Sequence, residues 1–251
     1  MQIENKSLSS QIVREIRSAI MLGDLAPGAR LTFRDVAERL NASVTPVREA
    51  LLQLVAARVL AAGPGRTITV PSLTRVQFLE LRVIRVLIEG FVAELAARHA
   101  DAALADNLEE IHALVSHAKR EQDTRAAIQH NQSFHFALYE ASGMPALIDM
   151  IENIWLRTGP YNRYIYADPA NHIFDIPDPA GAGQQHDHSL VIKGLREGRP
   201  DVVRAAIESD IAAGDAIILR QLPDAPPGSM QKLAERVPTS AVVQAFLRGA
   251  V

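Results

Sequence analysis

The stretch Leu31–Leu51, LTFRDVAERLNASVTPVREAL, limits the possible folds more than any other part of the chain. Its apolar residues recur at helical spacing in two short runs separated by Asn41-Ala42-Ser43. The first run predicts a helix from about Thr32 to Leu40. Thr32 is a good cap, Asp35 completes an approximate capping box, and Val36, Ala37 and Leu40 share one face. The second predicts a helix opening at Ser43 or Thr45, with Pro46 in its first turn, where a missing N–H costs nothing. Val47, Ala50, Leu51, Leu54 and Val55 make its apolar back; Thr45 and Arg48 point elsewhere, near the positive N-terminal end. Two such helices form either an ordinary helical hairpin or a helix-turn-helix whose second helix enters a DNA major groove. In the second case Arg48 can bind guanine O6 and N7 together, or a phosphate.

The flanking sequence favours the second case. Ser9 or Ser10 is expected to open a preceding helix with Ile12, Val13, Ile16 and Ile20 on one face, ended by Gly23 and the turn Leu25-Ala26-Pro27-Gly28. After the pair, Gly63-Pro64-Gly65 separates two β-prone runs, Val59–Ala62 and Arg66–Val70, which predicts a hairpin wing. Arg66, near its tip, either reaches a phosphate or minor groove or is simply solvated. Residues 1–72 carry nine Lys/Arg against six acids, a net +3, which leaves −6 for the remainder. A basic head on an acidic body is the charge pattern of a phosphate-facing module joined to something else. The absence of cysteine leaves no disulfide or thiolate metal site. The polar N-terminus and the lack of a long apolar run predict a cytoplasmic protein with no membrane partner.

After the linker Pro71-Ser72-Leu73 the pattern is helical almost throughout. Runs over about 76–99, 103–118, 123–142, 145–158, 185–197 and 200–219 predict six helices in an antiparallel bundle. Residues 159–183, rich in Pro, Gly, Asp and Tyr, interrupt them as a long loop of the kind that serves as a lid. The expected class is mainly α: a winged helix-turn-helix of three helices and a β-hairpin over 1–72, then an all-helical domain over 73–222. Residues 223–251 form a Pro-rich linker and a helical tail that packs on its own bundle or on a partner subunit.

His99, His112, His117 and His172 sit in polar company and read as surface residues. His135 differs, because Asn131 lies four residues before it on the same helical face. His188 and Asp210 fall on two other predicted helices, and bundles build metal sites from one inward polar residue per helix. Asn131, His135, His188 and Asp210 are thus either hydrogen-bonded polar residues or ligands for a divalent ion such as Zn²⁺, Ni²⁺ or Mn²⁺.

Residues 9–72 resemble the winged-helix domain of the GntR family of bacterial transcription regulators. The resemblance runs from Ile20, Gly23, Leu25, Pro27-Gly28 and Leu31 through Ala37 and Leu40 to Ser43, Thr45-Pro46-Val47-Arg48-Glu49-Ala50-Leu51 and Leu54. It implies operator contacts from Arg34 and Arg48. Ser43, Thr45 and Arg66 complete the expected DNA-facing set. The family usually has another Arg where this chain has Val44, which removes one contact. Residues 76–220 resemble the FCD effector domain of the FadR subfamily, on the run Arg85…Glu89-Gly90…Ala93…Leu95-Ala96-Ala97. That resemblance implies a metal held by positions 131, 135, 188 and 210. Asn131 stands where Asp is usual and Asp210 where His is usual.

An ion with open positions beside a cation suits a small carboxylate or hydroxy acid. Arg85 is the first candidate cation, unless it simply pairs with Glu89 on its own helix; Arg163 and Tyr164 in the long loop are next. The resulting expectation is a homodimer on a pseudo-palindromic DNA operator, answering to a small organic acid. The alternatives are a metal-dependent helical-bundle hydrolase or lyase with a DNA-binding head, and a DNA-binding protein whose bundle only dimerises.

Overall fold

The computed structural model describes residues 2–167 and 187–223, with the backbone alone for residues 2–7 and at Arg66. The expected tail at 224–251, His172 and most of the expected lid lie outside the described residues. The chain divides into two compact units, Met1–Leu73 with Asn153–Tyr161, and Thr74–Glu152 with Asn162–Val251.

The first unit holds α1 (Gln2–Met21), α2 (Phe33–Arg39) and α3 (Val44–Ala56) with a small sheet of β1 (Arg30–Leu31), β2 (Ala61–Ala62) and β3 (Ile68–Thr69). Helix α1 starts seven residues before Ser9, because the polar segment ahead of the amphipathic pattern contains no helix breaker. It ends at Gly23, whose φ of 73° is a left-handed conformation that glycine adopts without steric cost. The Thr32 hydroxyl accepts the Asp35 N–H at 3.1 Å, so α2 begins where the sequence predicts. Pro46, Val47, Ala50, Leu51 and Leu54 of α3 are buried, and α3 packs against α1, whose Ile12, Ile16 and Ile20 are buried as well. Burying such side chains is worth roughly 1.5–3 kcal/mol each, and this apolar back fixes which face of α3 remains outside.

The wing is antiparallel as expected, with Ala61 opposite Thr69 and Ala62 opposite Ile68. Its tip is closed by Gly63 N–H to Thr67 O at 2.8 Å and by a 3-10 turn over Pro64–Arg66. The sheet also has a third strand. Arg30 and Leu31 pair with Thr69 and Ile68 to give the order β1-β3-β2, which a hairpin reading omits. Two residues are too short for alternation to register in a sequence. Gly159 of the 3-10 turn Gly159–Tyr161 lies against Met21, where an added Cβ would come within 2.9 Å of the Met21 Cα. The Leu73 N–H donates to the Tyr161 hydroxyl at 2.6 Å.

Among its described residues the second unit is helical: α4 (Arg75–His99), α5 (Ala102–Arg120), α6 (Thr124–Glu140), the start of α7 (Pro145–Thr158), α8 (Arg163–Tyr166), α9 (Asp187–Arg196) and α10 (Pro200–Leu219). Side-chain caps set three starts. Thr74 and Gln77 form a full capping box on α4, Asp101 accepts from Leu104 N–H, and Asp123 accepts from Ala126 N–H. Helix α4 packs on α10 and α6, while α9 packs on α5 and α10. The described part of the expected loop beginning at Gly159 contains the buried turn 159–161 and then α8, which packs on α6 and α10.

Candidate functional site

Two sets of side chains stand out, one in each unit. In the first unit, α3 projects Ser43, Val44, Thr45 and Arg48 outward, and α2 projects Arg34. The Ser43 hydroxyl makes no capping bond to α3, although Ser43 is the N-cap residue. The Arg48 guanidinium lies 5.4 Å from the centre of the Phe33 ring, close enough for a cation–π contact. Arg66 falls in the turn at the wing tip. The exposed front of α3 therefore carries hydroxyls, a guanidinium and the free N–H groups of a helix start, all suited to phosphate oxygens and base edges.

In the second unit, one-residue contributions from three helices meet. His135 on α6, His188 on α9 and Asp210 on α10 each offer one donor atom, and these atoms lie within 4.8 Å of one another. His135 Nε2 is 3.2 Å from Asp210 Oδ2, and His188 Nε2 is 3.9 Å from Asp210 Oδ1. Both distances are shorter than the roughly 4.4 Å that separates two donors on opposite sides of one ion at about 2.2 Å from each. Two imidazoles and a carboxylate thus fit a borderline divalent cation and leave coordination positions open. Asn131, one turn before His135 on α6, is half-buried.

A buried polar chain runs from this cluster to α4. His135 Nδ1 is 3.1 Å from the Tyr139 hydroxyl, which donates to Glu89 Oε2 at 2.7 Å. Arg85 Nε donates to Glu89 Oε1 at 2.7 Å, and Arg85 Nη1 donates to Asp215 Oδ1 at 3.2 Å. Arg82 Nε lies 3.8 Å from Asp215 Oδ2. With the Tyr139 proton directed to Glu89, the Tyr139 oxygen can accept from a His135 Nδ1–H tautomer, the one that would offer Nε2 to an ion held between it and Asp210. Burial pushes the Tyr139 hydroxyl well above its ordinary pKa, reinforced by the Glu89 charge. Burial also lifts Asp215 to about 6 against the opposing pull of Arg85 and Arg82. Asp187 rises to about 6 through burial and the neighbouring Asp210 charge.

Sequence reasoning selects Asn131, His135, His188 and Asp210, and the Arg85–Glu89 pair behind them, but misses Tyr139 and Asp215. Arg85 makes both the expected bond to Glu89 and an unexpected one to Asp215, 130 residues away. The only trace of Asp215 in the sequence is its place as an acid inside the apolar run Ile211–Leu219. His112, read as a surface residue, is half-buried with its ring edge-on to His188 at 5.4 Å between centroids, because α5 packs on α9. His112 also lines a surface hollow of about 320 Å³ together with Lys193 and Arg196. Phe134 stacks on His188 at 3.7 Å with the rings 7° from parallel, which fixes that imidazole's plane. Arg163 and Tyr164 lie on α8, the first exposed and the second half-buried.

Comparison with known proteins identifies the domain that carries each set. Residues 8–70 match the model of bacterial regulatory proteins of the gntR family, and residues 80–213 match the FCD domain. The chain is 35% identical over 165 residues to the HTH-type transcriptional regulator McbR of Escherichia coli, covering 66% of this chain and 75% of that one. It is 28% identical over 158 residues to the transcriptional repressor GlaR of Escherichia coli, covering 61% and 71%. The solved structure of E. coli McbR/YncC superposes with a TM-score of 0.77 at 30% identity, over 85% of this chain and 98% of that one. The chain belongs to the GntR family of bacterial regulatory proteins, as a winged helix-turn-helix followed by an FCD domain. It is a DNA-binding transcription regulator, which sets aside the reading of the bundle as an enzyme. Among the described residues no helix is long and apolar enough to cross a membrane.

Proposed function

We propose that this chain is a ligand-responsive repressor that binds a pseudo-palindromic operator as a homodimer and is controlled by a small organic acid. The observation that carries this reading is the convergence of His135, His188 and Asp210 inside a domain attached to a DNA-binding head. The head meets DNA through Arg34, Ser43, Thr45 and Arg48, with Arg66 on the wing. Repression follows the analogy of GlaR, a repressor by name.

His135, His188 and Asp210, with the Asn131 side-chain oxygen as a fourth donor, would hold a divalent Zn, Ni or Mn ion. Such an ion supplies open positions that a carboxylate and an adjacent hydroxyl can occupy together. Arg85 already engages two carboxylates through Nε and Nη1, so an acid reaching it must displace one of them. We therefore assign Arg85 to charge balance behind the site, and Arg163 and Tyr164 of α8 to the acid itself. The acid can change operator affinity only by binding one arrangement of the dimer better than another.

Support for a second copy comes from α4. Ile84, Leu87 and Phe91 are exposed at 39%, 48% and 44% and recur at helical spacing, with exposed Glu80 and Arg98 at the two ends of the stripe. Residues 80 and 98 are five turns apart on one face, so an antiparallel copy sets each Glu80 near the partner's Arg98.

The test is a titration of metal-stripped full-length chain with Zn²⁺, Ni²⁺ and Mn²⁺, followed by operator binding with a panel of two- to six-carbon hydroxy acids. About one ion per chain, lost in H188A, and an acid that shifts operator affinity only in the metal-loaded protein are the expected results. Equal metal content in H188A and wild type would remove His188 from the ligand set.

A further inference from the structure

We infer that Val44 and Phe33 set the operator sequence this head selects: Val44 packs on a thymine methyl in the major groove, and Phe33 holds Arg48 against a guanine one or two base steps away. The inference rests on α3 being the recognition helix. Val44 is the first residue of α3 and is 41% exposed, flanked by exposed Ser43 and Thr45. It takes no part in the buried back of the helix, which is made by Pro46, Val47, Ala50, Leu51 and Leu54. A β-branched apolar side chain at the tip of a helix that enters the major groove meets one apolar group among the base edges, the C5-methyl of thymine. Val44 and Arg48 are four residues apart, hence on one face and separated by about 6 Å along the axis. Bases on one strand are stacked about 3.4 Å apart, so the two side chains address positions one or two steps from each other.

Phe33 gives the second half of the readout. It is the first residue of α2, half-buried, with its ring 5.4 Å from the Arg48 guanidinium carbon. A guanidinium over a ring face keeps its N–H edges free, and two of those donors match guanine O6 and N7. Anchoring a long side chain before binding also reduces the rotamer freedom it loses on the DNA. Phe33 is thus a positioning residue acting through Arg48, whereas Val44 touches the base itself.

The experiment is in vitro selection from a randomised duplex library with the full-length chain, followed by base-analogue substitution in the enriched site. The expected half-site holds a thymine and a guanine one or two steps apart. Replacing that thymine with deoxyuridine removes the methyl alone and should weaken binding about fourfold, the equivalent of one buried methyl group. V44A should bind the thymine and uracil sites within 1.5-fold of each other, roughly the limit of such a measurement. Replacing the guanine with 7-deazaguanine should penalise wild type more than F33L, with F33Y restoring the wild-type penalty. An enriched site that ignores the methyl, or a V44A that still senses it, overturns the role of Val44. Equal 7-deazaguanine penalties in wild type and F33L overturn that of Phe33. A library that yields no enriched sequence removes the recognition-helix reading and this inference with it.

Discussion

Tyr139 links the His135 end of the FCD site to Glu89 on α4. Its hydroxyl satisfies Glu89 and His135 at once, and both of these are buried. Y139F leaves each short of a partner, and unsatisfied buried groups cost about 1–3 kcal/mol. Urea unfolding should show that loss, and a metal titration should show affinity reduced about tenfold or more, as for other groups that orient a ligating imidazole. Asp215 makes a separate prediction in pH. Its carboxyl titrates near 6 when folded against an ordinary 3.8, so the folded chain holds this proton more tightly than the unfolded chain. The stability it contributes is fully present below about pH 4 and is lost as pH rises through 6. D215N has no such dependence. Relative to that variant, wild type should lose about 2 kcal/mol between pH 4 and pH 7 in paired urea melts. A constant difference between the two proteins would contradict the shifted Asp215.

At the scale of elements, α3 has two faces with separate tasks. Leu51 is fully buried on its back, so L51A should cost about 2–5 kcal/mol in chemical unfolding. T32A, which removes the cap of α2, should cost about 1 kcal/mol in the same assay. Helices such as α3, α4 and α10 are legible in the sequence because an apolar stripe repeats over several turns after a start signal: Ser43 and Pro46 for α3, the Thr74 cap for α4 and Pro200 for α10. Strand β1 is not, since two residues hold no period, and the early start of α1 is not, since its first turns are polar all round. The metal candidates are partly legible, because His135, His188 and Asp210 each interrupt a predicted helix with an inward polar residue. The Arg85–Glu89 pair is legible too, as an i, i+4 spacing, but Tyr139 and Asp215 are not: Tyr139 meets Glu89 across 50 residues and Arg85 meets Asp215 across 130. Both contacts are settled by which helices pack together, and local periodicity is silent on that. The aromatic stack of Phe134 on His188 is hidden for the same reason.

At the scale of the whole molecule a basic head precedes an acidic FCD domain, and the exposed stripe on α4 is the proposed meeting surface of two copies. L87E places a charge in the middle of the Ile84–Phe91 stripe, and light scattering is expected to find wild type dimeric and L87E monomeric. A dimeric L87E would place the interface elsewhere. The central claim is that α3 reads DNA through Arg48, and the most direct test is the affinity of R48A for a selected operator at fixed salt. Two copies of Arg48 per dimer, at about 1–3 kcal/mol for each lost bidentate contact, predict a loss of roughly thirtyfold or more by fluorescence anisotropy, with the melting temperature unchanged. Affinity within a factor of about two of wild type, well below the effect of even one such contact, would contradict α3 as the element that reads the operator.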